Sequence, residues 1–474
     1  MRIDGLEALR DSLAGLDVPW AWVGQRSIDM WTVNGFAPVS AVFCCDYGAD
    51  FHARWGSRPL FSAERSLGYR HNWGNDHLEC LWDGPEQDEI DRYLGGLGQP
   101  LLTVCYRSLS VLESDSRHRV LAPPLRLKDR FDDKLLQMEI FEDLGLPAIE
   151  GHAADLGDLD YPGLRRRLGD TVVIQSPFGS SGETTRLIRD AGDLARLRVE
   201  FPNWTRVKAT VHAPLPSING HAAVLEVGGR LRCLAVCPSL QIIGAEGCSC
   251  RPEVYCGNDF SAAEGLSELA RSRACERMER VGRVLGEAGF RGLFGMDFLV
   301  DGDEVLALEI NPRFQGSSQM LSLLQAERGE IPVIGLHVLQ FLGWLDRVPR
   351  STIDRLADEY RRPYRGAHLI VHSREPGPRL FTHDLESGIH VVEDGALRRR
   401  GDGETCCALA RDDEWCLLGN LPLPDLPVHH GARLAMAQAR RSLLAHDRIE
   451  LGDFAREFVR AVNERFESRP LMQE

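Results

Sequence analysis

Residues Gly292–Ser318 read GLFGMDFLVDGDEVLALEINPRFQGSS, and this stretch organises the rest of the chain. Phe294, Met296 and Phe298 alternate with other residues, which is the period of a half-buried strand. A second apolar run starts at Val305, and the Asp-Gly-Asp sequence between the two runs suits a tight turn, because Gly and Asp tolerate left-handed backbone. The stretch therefore predicts a β-hairpin.

Polar side chains interrupt the apolar pattern of this predicted hairpin. Asp297 lies on the first predicted strand, and Glu309 and Asn311 lie two residues apart on the second, so they share a face. Two carboxylates and an amide oxygen form a hard-oxygen site for Mg²⁺ or Mn²⁺. Arg313 adds a fixed guanidinium fork for a carboxylate or phosphate. The alternative is an edge hairpin with solvated acids.

The pattern of an acid on one strand and Glu-Ile-Asn-Pro-Arg on the next resembles the metal-binding end of the ATP-grasp superfamily. The resemblance implies an α/β fold of that superfamily, with α+β lobes and Mg·ATP bound between them. It also implies that a carboxylate is activated as an acyl phosphate. Within it, Asp297, Glu309 and Asn311 would be the metal ligands, and Arg313 would hold the carboxylate or the acyl phosphate.

Composition narrows the class of protein. The 474 residues are 43% hydrophobic and 26% charged, which is typical of globular proteins. A net charge of −15 argues against nucleic acid or an anionic membrane as partner. No apolar run approaches twenty residues and no signal peptide is evident, so we expect a cytoplasmic protein with reduced cysteines. A zinc site at Cys248, Cys250 and Cys256 is disfavoured by the C-x-C spacing.

Lysine is nearly absent from this chain. Of the 55 basic residues only Lys128, Lys134 and Lys208 are lysines. Surface positions tolerate arginine, whereas a position that needs a compact ammonium does not. The three lysines are therefore functional candidates, and the resemblance to ATP-grasp enzymes implies that all three lie in the nucleotide-binding region. Chance survival is an equal explanation for Lys128.

The chain divides into three predicted segments. Residues 1–125 carry the short apolar runs Val39–Cys45 and Leu101–Cys105, which predict buried parallel strands and fit the α/β domain that precedes many ATP-grasp domains. Residues 126–345 are the expected ATP-grasp domain, with a lid lobe at about 150–215. Residues 346–474 are the expected C-terminal α+β domain. Tyr106 follows an apolar strand, at the kind of strand end where ligands collect.

The expected nucleotide site spans several of these elements. In ATP-grasp enzymes an Asp-Lys pair at a helix start reaches the phosphates, and Asp133-Lys134 matches it. A Gly/Ser loop between two predicted strands resembles the flexible lid. Gln175 stands where the family usually has lysine, and Lys208 is one source of the missing cation. The predicted nucleotide-binding residues are Lys134, Gln175, Gly179, Ser180, Ser181, Gly182, Lys208 and His212.

The remaining segments carry weaker patterns. Four polar residues in apolar or Gly-bounded settings are expected either to face the substrate or to be hydrogen-bonded loop residues: Gln241, Tyr255, Asn258 and Asp259. After residue 350 we expect strands at Ala367–His372, Gly388–Val392, Cys406–Ala410 and Trp415–Leu418. A proline-rich connector at 421–431 then leads into two expected amphipathic helices.

These features favour an ADP-forming ligase that joins a carboxylic acid, such as an amino acid or peptide, to an amine. Lys134 and Arg313 are the expected catalytic residues, ATP and Mg²⁺ (or Mn²⁺) the cofactors, and small-molecule acids and amines the partners. A homodimer is one expected assembly. A thiol acceptor on a carrier protein, bicarbonate as a substrate, and a nucleotide-binding sensor without turnover stay open as alternatives.

Overall fold

Residues 20–120 build a five-stranded parallel sheet whose central strands are buried on both faces. The structure, a computed structural model, describes residues 2–72, 75–179, 182 and 184–471. The strands are β1 Trp20–Gly24, β2 Val39–Cys44, β3 Leu60–Ser62, β4 Leu101–Cys105 and β5 His118–Val120, in the order β3-β2-β1-β4-β5. Helices α1 Leu6–Ala14, α2 Trp31–Asn34, α3 Ala49–Trp55, α4 Ala63–Leu67, α5 Cys80–Asp83, α6 Gln87–Leu97 and α7 Ser110–Ser114 accompany them. The predicted strands β2 and β4 are confirmed.

A separate small sheet lies in the segment predicted to be the lid lobe. Helix α8 Leu125–Asp132 is followed by α9 Lys134–Asp143, and the side chain of Asp133 caps α9 by accepting from the backbone N–H of Leu135 at 2.9 Å. The lid strands are β6 Gly151–Asp155, β7 Val172–Gln175, β8 Thr185–Ile188 and β9 Arg206–Val211, in the order β6-β9-β7-β8. Helices α10 Tyr161–Leu168 and α11 Ala191–Glu200 bury its apolar face.

The predicted hairpin is confirmed and lies in a large antiparallel sheet. Asp297 pairs with Glu309 across it, and Gly302 turns at φ +58°. The strands of this region are β10 Ser217–Val227, β11 Arg230–Ala235, β12 Ser239–Ile243, β13 Tyr255–Asp259, β14 Gly292–Asp301 and β15 Glu304–Asn311. The helices are α12 Glu268–Glu287, α13 Ser318–Glu327, α14 Val333–Leu342 and α15 Arg350–Glu359.

The C-terminal segment extends the same sheet. Its elements are β16 Ala367–His372, β17 Arg379–His383, β18 Gly388–Glu393, β19 Ala396–Gly401, β20 Trp415–Leu417, β21 Leu426–Val428, β22 Arg433–Ala439, α16 Asp453–Asn463 and β23 Phe466–Pro470. The central order is β15-β14-β10-β12-β13-β16-β22-β20-β18-β19, with β11 on β10, and β21-β17-β23 form a small sheet. Because β16 pairs directly with β13, the sheet continues across the domain boundary predicted near residue 345. That boundary stays a prediction.

Two predictions in this segment are wrong. The first expected C-terminal helix is the strand β22, which lies between β16 and β20. Its residues Arg433–Ala439 are almost all buried, and a short apolar run buried on both faces has no period that separates strand from helix. The expected strand Cys406–Ala410 is a 3₁₀ turn at Cys406–Ala408. The second expected helix is confirmed as α16. Within the described ranges, no helix has the length and apolar character needed to cross a membrane.

Candidate functional site

A cavity of about 310 Å³ opens between the lid sheet and the central sheet. The first segment contributes Gln25, Arg26 and Tyr106 to its lining, and the C-terminal segment contributes Arg433. The predicted site residues that line it are Lys134, Gln175, Gly179, Gly182, His212, Asp297, Glu309, Asn311 and Arg313. Residues from distant parts of the chain therefore meet in one place.

The acid pair lies at the centre of this cavity. Asp297 and Glu309 are cross-strand neighbours on β14 and β15, next to a bulge in the ladder. The amide of Asn311 donates to Asp297 Oδ2 at 3.2 Å, and that of Asn219 donates to Asp297 Oδ1 at 2.5 Å. Burial, then the neighbouring Glu309 carboxylate, raises the pKa of Asp297 above its ordinary value. Such crowding of carboxylates favours a cation between them.

Arg313 is fixed by the strand end that carries the acid pair. Its Nη2 donates to Asn311 Oδ1 at 2.8 Å and its Nη1 donates to the carbonyl of Phe314 at 3.1 Å. The guanidinium carbon lies 5.8 Å from the ring centroid of Tyr106. The fork is therefore held rigidly beside the acids, which is the placement needed to bind an anion there.

Lys134 is a buried cation at the first turn of α9. Its Nζ lies 3.4 Å from Glu309 Oε1 and donates to the carbonyl of Gly179 at 3.0 Å. A cation at a helix N-terminus is unfavourable with respect to the helix dipole, so its position is supported by these acceptors. Lys134 thus joins the acid pair to the lid loop.

Lys208 lies beside the cavity and does not line it as the other predicted residues do. It pairs with Gln175 across β9 and β7, so the two side chains share a face. Its Nζ donates to the carbonyl of Leu308 at 2.7 Å, and burial lowers its pKa to about 8. Lys208 therefore lies close enough to Gln175 to supply the cation that is missing there, as predicted. Its contact with nucleotide stays a prediction.

The lid loop approaches the central sheet closely. Gly179 has φ +139° and Gly182 has φ +77°, backbone conformations that residues with a side chain rarely adopt. A Cβ on Gly182 would lie 2.1 Å from the carbonyl oxygen of Glu253. The predicted contacts of Ser180 and Ser181 lie outside the described residues. Glycine at 182 thus permits the loop to seat against the opposite wall.

Several lining residues were not predicted from sequence. Gln25 and Arg26 directly follow β1, and the reasoning that selected Tyr106 after β4 would have found them had β1 been recognised. Asn219 donates to Gln315 as well as to Asp297, and Gln315 packs over Gly295, where a side chain would collide with it.

The four residues with open roles divide between the two alternatives. Gln241, Tyr255 and Asn258 line the cavity. Asp259 instead accepts hydrogen bonds from the backbone N–H groups of Leu443 and Leu444, so its role is structural.

The fold and the acid-lined cavity define a two-lobed α/β protein with a ligand site between its lobes. The family model for the ATP-grasp domain matches residues 133–317, so the chain carries an ATP-grasp domain, as the sequence predicted. The fold agrees with a biotin carboxylase structure from Campylobacter jejuni at a TM-score of 0.57 and 13% identity, covering 95% of this chain and 92% of that one.

Two curated relatives match parts of the chain. A [Butirosin acyl-carrier protein]--L-glutamate ligase of Niallia circulans is 26% identical over 231 residues, which is 47% of this chain and 52% of the relative. A formate-dependent phosphoribosylglycinamide formyltransferase of Escherichia coli O157:H7 is 26% identical over 305 residues, 56% of this chain and 72% of the relative. The chain thus spans about half the length of the first relative.

Proposed function

We propose that this protein is an ADP-forming ligase that joins a carboxylic acid to an amine. The observation that carries the proposal is the convergence of Asp297, Glu309, Asn311, Arg313 and Lys134 on one cavity of an ATP-grasp domain. The names of the two relatives, a glutamate ligase and a formate-dependent formyltransferase, support a substrate with a carboxylate group. An amino acid or peptide is the substrate class that we favour.

The donor set fits a divalent metal with ATP. Asp297 and Glu309 supply two neighbouring carboxylates in a buried setting, and like charges in such a setting are stabilised by a cation. Asn311 supplies an amide oxygen, which Arg313 now engages. When bound, Mg²⁺ or Mn²⁺ would neutralise phosphate charge.

The protein side chains would act by positioning and by charge. Lys134 would contact the phosphates, and the lid residues Gly179 and Gly182, with Gln175, Lys208 and His212, would surround the nucleotide. A carboxylate oxygen attacks the γ-phosphorus and ADP leaves. The amine nitrogen then attacks the acyl carbon, phosphate leaves, and the nitrogen loses a proton. Arg313 would hold the acyl oxygens during both steps.

A thiol acceptor is a second candidate because one relative is named as acting on an acyl-carrier protein. In that case the thiol sulfur would replace the amine nitrogen as the attacking atom.

We also propose that the protein works in the cytoplasm on small molecules and assembles as a homodimer. The net charge of −15 supports neither nucleic acid nor an anionic membrane as a partner.

ADP release tests the proposal. The protein is incubated with Mg·ATP, pooled carboxylic acids and pooled amines, and the products are identified by mass. We expect ADP that depends on both pools and a product whose mass equals acid plus amine minus water. Binding of Mg·ATP without ADP from any pool, with or without a carrier thiol, would instead identify a nucleotide-binding sensor.

A further inference from the structure

An arginine from the C-terminal segment enters the cavity without a counter-ion. Arg433, at the start of β22, lines the cavity, and its Nη2 donates to Gln25 Oε1 at 3.3 Å. Its Nε is buried and has no hydrogen-bond partner. Among the described residues, no carboxylate lies within ion-pair distance of Arg433. A half-buried guanidinium without an ion pair is costly, so its retention here requires a reason.

A second arginine lies next to it. Arg26 follows Gln25 at the end of β1, and its Nη2 donates to the carbonyl of Gly316 at 3.2 Å, in the loop after Arg313. Burial, and after it the charge of Arg26, lowers the pKa of Arg433. Both arginines line the cavity, and Arg26 Nη1 contacts Met436 Sδ at 3.4 Å, on the strand that begins with Arg433. The contact with Gly316 places Arg26 beside the loop that follows the metal-binding hairpin.

The nearby acids do not neutralise Arg433 at the cavity wall. Asp29 accepts from Arg26 Nε at 2.7 Å, and Asp46 accepts from the backbone N–H of Ser27 at 2.7 Å. Neither acid is among the described residues that line the cavity. Within the described residues, the part of the cavity wall that Arg433 forms therefore has no acid paired with it.

We propose that Arg433, with Arg26 beside it, binds an anionic group of the substrate other than the carboxylate that is activated. The inference rests on the proposed function and adds a substrate class to it. One of the two joined molecules carries an extra carboxylate or a phosphate, and these two anions share the chemistry that a guanidinium recognises. The residues come from the first and last segments of the chain, so those segments would select the substrate while the ATP-grasp domain binds nucleotide.

Anion binding provides a test that does not need turnover. With the nucleotide site saturated by Mg·AMPPNP, malonate and inorganic phosphate are each titrated by calorimetry against the parent, Arg433→Gln, Arg433→Lys and Arg230→Gln. Arg230 is an exposed residue at the start of β11 and serves as the matched control. We expect about a tenfold to hundredfold weaker anion binding in Arg433→Gln, a smaller loss in Arg433→Lys, and none in Arg230→Gln.

The outcomes separate this inference from the proposed ligase activity. A preference for malonate identifies a carboxylate ligand, and a preference for phosphate identifies a phosphate ester. Equal anion binding by the parent and Arg433→Gln, or none by the parent, overturns the inference. The ADP screen supplies a second test. If the best acids and amines carry no anionic group besides the carboxylate that is activated, the anion site is contradicted while the proposed ligase activity stands. If Arg433→Gln loses anion binding but no pool yields ADP, the anion site is supported and the proposed ligase activity is contradicted.

Discussion

At the scale of single residues, the three lysines share one property that the sequence could not show. Lys128, Lys134 and Lys208 are 5%, 2% and 2% exposed, although lysine normally lies on the surface. Each is held by an oxygen acceptor: Lys128 by Asp132 at 2.9 Å, Lys134 by Gly179 and Lys208 by Leu308. Each lysine thus places a compact ammonium in a buried position beside an oxygen acceptor.

The first prediction concerns the two lysines at the nucleotide site. We expect Lys134→Arg and Lys208→Arg each to weaken ATP binding about tenfold to a hundredfold, because a charge-assisted hydrogen bond is lost although the charge is kept. Titration of ATP gives the dissociation constants. Lys128→Arg is the control, since its partners Asp129 and Asp132 lie on α8, and should bind ATP as the parent does. Unchanged affinity in Lys134→Arg and Lys208→Arg would mean that the lysines survived by accident.

The second prediction concerns the metal. Glu309→Gln removes one charge at nearly constant shape from the proposed set of hard oxygen ligands, so we expect ADP release to fall roughly a hundredfold or more and the Mg²⁺ requirement to rise. ADP release measured against Mg²⁺ concentration checks both effects. Glu304→Gln, at the exposed start of the same strand, should behave as the parent. Normal turnover by Glu309→Gln would show that the metal assignment is wrong.

At the scale of secondary-structure elements, the sequence predicted what local patterns encode. The hairpin β14–β15 and helix α9 follow from alternation, turn residues and capping, all of which operate within a few residues. The strand β22 did not follow, because its place between β16 and β20 is set by pairing with strands outside its own stretch of sequence. Arg433 was missed for that reason, and its place in the cavity depends on the sheet order.

The third prediction concerns the lid loop. Gly182→Ala introduces a Cβ at φ +77° that would lie 2.1 Å from the carbonyl of Glu253, so the loop should no longer seat. We expect about a tenfold rise in KM for ATP with little change in Tm, since the loop contributes little to the core. Gly157→Ala, which would meet nothing within 4 Å, is the matched control.

Proteolysis gives an independent measurement on the same loop. Cleavage between Gly179 and Thr184 should be slower with Mg·ATP in the parent and less protected in Gly182→Ala. Equal cleavage of the parent with and without nucleotide would contradict a loop that closes on phosphate.

At the scale of the whole molecule, a few buried polar residues tie the first segment to the rest. Arg70 pairs with Glu64 at 2.8 Å and donates to the backbone carbonyls of Asn420 and Arg433. His337 on α14 accepts from the backbone N–H of Leu293 on β14 at 2.9 Å. Its other ring nitrogen lies 2.8 Å from the carbonyl of Leu121, after β5, so it carries the proton and donates. These hydrogen bonds therefore join the first segment to the C-terminal segment and to the central sheet.

The fourth prediction uses the titration of that histidine. Burial lowers the pKa of His337 from 6.5 to about 4, because a charged ring would be desolvated, and protonation would also remove the acceptor for Leu293. The unfolded chain binds a proton near pH 6.5, so His337 contributes its full stability above that pH and loses it as the pH falls toward 4. The loss is about 1.4 kcal/mol per pH unit, or roughly 3 kcal/mol over that window.

Replacing His337 by Gln removes the titration while retaining an amide donor and acceptor. We therefore expect His337→Gln to be less stable than the parent at pH 7.5, with a gap in the free energy of unfolding that narrows by about 2 kcal/mol at pH 5. Urea unfolding at both pH values measures this gap. His221, His368 and His372, whose pKa values burial also lowers, remain in both proteins, so the difference isolates His337. His446→Gln, an exposed substitution between β22 and α16, should follow the parent. A gap that is constant between the two pH values would show that His337 does not carry the link between the segments in its neutral form.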